Sequence, residues 1–171
     1  MAAVEFAFAA PIFLFLLLNG VEMSRALLIH QKAEKAAHTV SDVVAQASIL
    51  TNGQLNQIVA AGAQIMEPYS FGADGVIVVS SVYQGAGAVP PVVNWQYVGG
   101  GSLSRASLIG VVNGNATLPA GLTLNVKDNV IVAEVFYRPT PIFLTESWAA
   151  TEIYKSAIFK PRLGALTTPP A

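Results

Sequence analysis

The stretch from Phe6 to Val21 carries no charged side chain and contains the run Ile12-Phe13-Leu14-Phe15-Leu16-Leu17-Leu18. At ~1.5 Å per residue these sixteen residues reach ~24 Å, short of the ~30 Å hydrocarbon core of a bilayer. Adding Met1 to Val4 gives a segment long enough to span, and it places Glu5 at membrane depth. A cleaved secretory signal would need a basic region before the apolar run and a small-residue cleavage site after it. The sequence offers no basic residue before the run and no clear cleavage site after it, so a retained anchor fits better. Arg25, Lys32 and Lys35 follow the run. The positive-inside rule, applied to these residues alone, would put the C-terminal side in the cytoplasm. A basic leader removed from in front of Met1 would resolve that conflict.

Composition agrees with an anchored or heavily packed chain. Apolar residues make up 53% of the sequence and charged residues only 11%, against roughly a quarter in ordinary globular domains. A net charge of −1, with no cluster of Lys or Arg among aromatics, gives no support for nucleic-acid binding. With no cysteine there is neither a disulfide framework nor thiolate chemistry.

Beyond the apolar run the helical pattern continues. Ala26, Ile29, Ala33, Ala36, Ala37, Val40, Val43, Val44 and Ala47 fall on one stripe, with Gln31, Lys35, His38, Asp42 and Gln46 opposite. One helix over residues 2–50 is expected, stopping before Asn52-Gly53, with Pro11 as its internal breaker. Residues 1–25 then form a transmembrane and assembly helix, and 26–53 its amphipathic continuation. Residues 54–165 form an extracytoplasmic domain, and 166–171 a flexible tail. A second helix is expected over Gln54–Met66, before Pro68. Strands are expected at Val76–Tyr83, Val92–Val98, Val130–Arg138 and Trp148–Phe159. Ser102–Leu124 reads as a loop, with Leu103–Val111 as its one candidate helix. The expected class is α+β: a small antiparallel sheet lying on the amphipathic half of the long helix.

Catalytic chemistry finds little support. His30, Glu34 and His38 share helical i, i+4, i+8 spacing, but three candidates without a fourth ligand or a Cys make a weak metal signal. A solvated helix flank explains them, so no metal and no cofactor are expected. Both histidines lie far from any Gly-rich turn that could hold a nucleophile, and Gly99-Gly100-Gly101 lacks the residues of a phosphate cradle. Glu134, Glu146 and Glu152 are spread over strand-like runs and are expected in ion pairs or facing solvent. Neither enzymatic activity nor a small-molecule substrate is expected. Glu5 stands apart, because a carboxylate at the membrane centre costs about 2.5–3.5 kcal/mol. Two readings are open: a side chain reaching the headgroups, or a charge kept for pairing with a partner within the bilayer.

The order of several segments resembles a known family. Ala2-Ala3-Val4-Glu5-Phe6-Ala7, Pro11 and the closing Val21-Glu22-Met23-Ser24-Arg25 resemble the N-terminus of TadE/TadG-like proteins. These are minor pilins, or pseudopilins, of the tight-adherence (Tad) branch of type IV pili. His38-Thr-Val-Ser-Asp42, Ile65-Met-Glu-Pro68-Tyr69, Trp95, Leu118-Pro119-Ala-Gly121, Ile131–Pro139 and Lys160-Pro161-Arg162 extend the similarity along the chain. The resemblance implies a leader cut by a prepilin peptidase before Met1, leaving Glu5 at the fifth mature position. It also implies an inner-membrane anchor with the domain periplasmic or extracellular, and assembly through Met1, Glu5, Phe6 and Pro11. The implied partners are other pilins and the pilus assembly platform, in a pilus serving surface adhesion. A major filament subunit is a second structural reading, and a bitopic periplasmic binding or sensing module is one from another class.

Overall fold

The computed structural model describes residues 2–87, 90–142 and 152–171. Its first element, α1 (Ala2–Ala45), runs through Pro11 without interruption and at ~1.5 Å per residue is ~66 Å long. The two halves of α1 meet different surroundings. From Val4 to Leu28 the large apolar side chains stand exposed, except the half-buried Leu18, and the first buried residue is Ile29. From there Ile29, Ala33, Ala36, Ala37, Val40 and Val44 form a buried stripe at the three-to-four spacing of a helix face. Three alanines in that stripe let the helix backbone lie close to the sheet. Ser41 also faces inward, its hydroxyl donating to the Ile131 carbonyl at 3.0 Å. Ala26 and Val43, expected on the stripe, are exposed at its margins.

The long helix ends at Ala45 rather than near residue 50, its last carbonyl taken by the Arg162 amide, and Thr51 starts a new helix. The Thr51 hydroxyl accepts from the Gln54 amide, and the Gln54 side chain accepts from the Thr51 amide, a reciprocal cap for α2 (Asn52–Ile65). Asn52-Gly53 therefore lies in the first turn of a helix instead of after the last. α2 buries Leu55, Val59 and Gly62. A Cβ at Gly62 would come within 2.5 Å of Val40, so α1 and α2 can approach this closely only with glycine there. Lys32 of α1 donates to the Ile65 carbonyl at 3.1 Å and so caps the end of α2. A short helix, α3 (Phe71–Asp74), leads into the sheet.

Four antiparallel strands follow: β1 (Gly75–Tyr83), β2 (Val92–Gly99), β3 (Asn129–Tyr137) and β4 (Ile153–Phe159), in the order β2-β1-β3-β4. The register sets Ile77 against Val135, Val79 against Ala133 and Ala133 against Ala157. These residues, with Trp95 and Ile131, join the core formed with α1 and α2. The residues between them, Val78, Val82, Val130, Val132 and Phe136, are covered by residues 100–128. That segment packs Leu103, Ile109, Ala116 and Leu118 on the second face of the sheet. Covered on both faces, β3 is buried at every position and β1 at all but its last, which is why both read as near-continuous β-branched runs. The covering segment enters through Gly101, where a Cβ would lie 2.1 Å from the Gly75 carbonyl. It stays irregular throughout, and the candidate helix at Leu103–Val111 does not form. Of the expected fourth strand, residues 148–151 lie outside the described residues.

The expected flexible tail, 166–171, is instead docked. Leu166 is buried, its carbonyl accepting from Ser81 Oγ at 2.7 Å and Trp95 Nε1 at 2.8 Å. Its amide donates to Asn129 Oδ1 at 2.8 Å, and Asn129 Nδ2 donates to Ser81 Oγ and to the Val82 carbonyl. One tail residue is thus held by three strands. Further on, the Asn52 amide donates to the Ala171 carbonyl at 2.9 Å. Because Asn129 is 3% exposed, truncating it strands several buried donors and acceptors. Asn129→Ala should lower stability by about 1–3 kcal/mol, read from denaturant unfolding of the detergent-solubilised chain by near-ultraviolet circular dichroism.

Candidate assembly surface

The sequence-predicted assembly residues lie on the part of α1 that projects from the domain. Glu5 is in the first turn, where a negative side chain interacts favourably with the positive end of the helix. It is exposed, and it makes no hydrogen bond or ion pair with another described residue. The nearest cationic side chain along the helix is Arg25, twenty residues and ~30 Å away. Phe6 is 72% exposed. Pro11 is exposed inside the helix, and its missing N–H deprives the Ala7 carbonyl of its helical donor. Met1 lies outside the described residues.

Two uncharged polar residues of this projecting half bond back onto the helix itself. Asn19 donates its side-chain amide to the Phe15 carbonyl at 2.7 Å, and Ser24 donates its hydroxyl to the Gly20 carbonyl at 2.8 Å. Such bonds to the preceding turn let polar side chains occupy an apolar environment without another partner. α1 is the one helix among the described residues long and apolar enough to cross a membrane, and no residue of its most apolar window is buried.

A collar of polar contacts marks where the helix meets the domain. Arg25 Nη1 donates to the Thr140 carbonyl at 2.8 Å and lies 3.3 Å from Glu22 Oε1. The other Glu22 oxygen accepts from the Ile142 amide at 3.1 Å. The guanidinium also sits over the Tyr69 ring, 5.5 Å from its centroid. Sequence spacing gave no sign of this collar, because Tyr69, Thr140 and Ile142 lie 44 to 120 residues from their partners on α1.

The other candidates separate in space. His30 is exposed, Glu34 pairs with Lys155 at 3.4 Å, and the His38 and Phe159 rings form a T-shaped pair. Glu152 pairs with Arg105 and with Arg138, and Glu146 lies outside the described residues. Glu134 departs from expectation: it is fully buried and is neither ion-paired nor in solvent. Its carboxylate accepts from the Ser107 hydroxyl, the Leu108 amide at 2.9 Å and the Tyr154 hydroxyl at 3.1 Å. These donors come from the covering segment and from β4, so Glu134 fastens the segment to the sheet through neutral partners. A groove of about 560 Å³ beside α3 is lined by Gln64, Glu67, Pro68, Tyr69 and Ser70, with Glu67 its one charged side chain.

Residues 1–42 match the family model described as TadE-like protein. No curated protein and no solved structure matches the chain. The match spans the projecting half of α1 and most of its docked half. Together with the single N-terminal apolar helix, it fits a membrane-anchored protein associated with a Tad pilus.

Burial, opposed by a hydrogen bond from Ser156 and reinforced by the Glu134 carboxylate, pushes the Tyr154 phenol up to about 12 from the usual 10.0. The folded state therefore holds this proton more tightly than the unfolded state. The stabilisation is complete below pH 10 and is lost as pH rises towards about 12. A spectrophotometric phenol titration should show a late-ionising component, and Tyr154→Phe should remove its highest part.

Proposed function

From the TadE-like character of residues 1–42, we propose that this chain is a minor pilin or pseudopilin that initiates or joins assembly of a Tad-type pilus used in surface adhesion. One observation carries the reading: a helix docked to its domain by one half extends its other half as exposed apolar surface, ending in a carboxylate without a partner among the described residues. Lipid tails satisfy apolar side chains as well as a neighbouring helix does, so association within the bilayer needs close packing or polar contacts. Glu5 supplies such a contact, and the α-amino group of an adjacent, staggered subunit is the partner that fits it. Pairing them offsets the burial cost and fixes axial register, while an unpaired Glu5 is penalised. Phe6 packs beside it in the bundle, and Pro11 frees a carbonyl for the same interface. Met1, as the mature N-terminus left by a prepilin peptidase, would contribute the amine. In this reading the chain meets other pilins and the assembly platform, and performs no reaction of its own.

Glu5→Ala should insert into membranes at least as well as the parent and keep a folded domain, yet fail to co-purify with other pilins or support pili. Membrane fractionation beside pull-down from the same cells measures both properties. Normal assembly by Glu5→Ala would reduce the carboxylate to an interfacial residue. The same reading places the sheet outside the cytoplasm. Protease added to spheroplasts should then degrade the chain beyond residue 50 and spare the anchor. A domain protected until the membrane is dissolved would refute that topology.

A further inference from the structure

The collar between α1 and the domain has a chemistry suited to a particular depth. Glu22 is the first charged residue after the uncharged run Phe6–Val21, so it marks where the helix leaves hydrocarbon if that run is the membrane segment. Its carboxylate takes the Ile142 amide at 3.1 Å, which fixes the corner formed by residues 139–142 at that same height. The corner lacks regular secondary structure, and irregular backbone near hydrocarbon is costly unless its polar groups are satisfied. Here they are few. Pro139 and Pro141 have no N–H, so two of the four backbone donors are missing. Glu22 accepts the Ile142 donor, and Arg25 donates to the Thr140 carbonyl at 2.8 Å.

The side chains fit the same place. Ile142, whose amide is held by Glu22, is 55% exposed, and Val21 next to Glu22 is 48% exposed, so exposed apolar side chains stand on both the anchor and the corner at this height. Glu22 and Arg25 compensate each other's charge, and Arg25 stacks on Tyr69, an aromatic residue of the kind concentrated at bilayer interfaces. We propose that residues 139–142 form a second membrane-contact site, with Ile142 resting at the boundary between headgroups and acyl chains. The occupant is the lipid surface itself. The proposal rests on α1 being a membrane anchor, and it adds that the domain sits down on the bilayer instead of standing clear of it.

The absence of cysteine makes the test direct. Single variants Ile142→Cys, Thr140→Cys, Leu14→Cys and Leu163→Cys of the full chain are labelled with an environment-sensitive fluorophore. They are then reconstituted at low density into phosphatidylcholine–phosphatidylglycerol vesicles with lipids brominated at shallow or deep acyl positions. Leu14 reports insertion. Leu163 is 67% exposed and follows Arg162, whose amide donates to Ala45 O, twenty-three residues and ~35 Å beyond Glu22 along α1. The label at 142 should emit at shorter wavelength than the label at 163 and lose intensity mainly with shallow bromines. The label at 140 should follow it, the label at 14 should respond to deep bromines, and the label at 163 to neither. Quenching at 14 without quenching at 142 or 140 overturns the lipid contact and leaves the anchor standing. A blue-shifted but unquenched label at 142 means that protein covers the corner, which also overturns it. No quenching at 14 overturns the anchor reading itself.

Discussion

Everything in this fold hangs on one helix serving two solvents. An α-helix satisfies its backbone internally, so it can pass from a protein interior to an apolar surrounding without a break in hydrogen bonding. What changes along α1 is the side-chain pattern. Apolar groups surround the helix from Phe6 to Val21, and from Ile29 they narrow to a stripe built largely of alanine. Alanine brings the helix backbone close to the strands, and the helix then becomes part of the core.

Polar groups then tie the layers together. Ser41 binds the Ile131 carbonyl across the helix–sheet interface, Glu134 binds the covering segment to β3, and Asn129 with Ser81 binds the tail. None of these buried side chains is left without a partner among the described residues. In a domain with few charges, these directional contacts supply the specificity that apolar burial alone lacks. The covering segment, 100–128, illustrates the point: it is long and irregular, yet Glu134, Gly101 and a few apolar side chains give it one path.

Much of the architecture was legible in the sequence because it follows from periodicity. The long helix, the second helix and the positions of β1, β2 and β3 all come from apolar spacing, and the structure shifts their ends by only a few residues. What was not legible depends on contacts between distant residues. Thr51 and Gln54 make a cap that converts an apparent stop signal, Asn52-Gly53, into the start of α2. Leu166 belongs to a short, Pro-containing terminal segment that looks free until Asn129, Ser81 and Trp95 converge on it. Glu134 looked like a surface carboxylate because a strand covered on both faces does not alternate. Of the candidate assembly residues, Glu5 and Pro11 stand out in the sequence, since a charge or a proline in an apolar helix is conspicuous, whereas Phe6 was singled out only through the family resemblance. The Glu22–Arg25 collar was not, because its partners are brought there by the sheet.

The arrangement of ties along α1 also determines how the molecule would respond to mechanical load. Lys32 grips the end of α2, Ser41 grips β3, and Ala45 O and Asp42 hold Arg162 in the segment that leads to the tail. These attachments sit at successive heights on the helix and reach different parts of the domain. A pull along the helix axis therefore strains them together, in shear, instead of peeling them apart one after another. With Ala33, Ala36 and Ala37 buried against the strands between them, such a pull would load the helix–sheet contact and these ties at once.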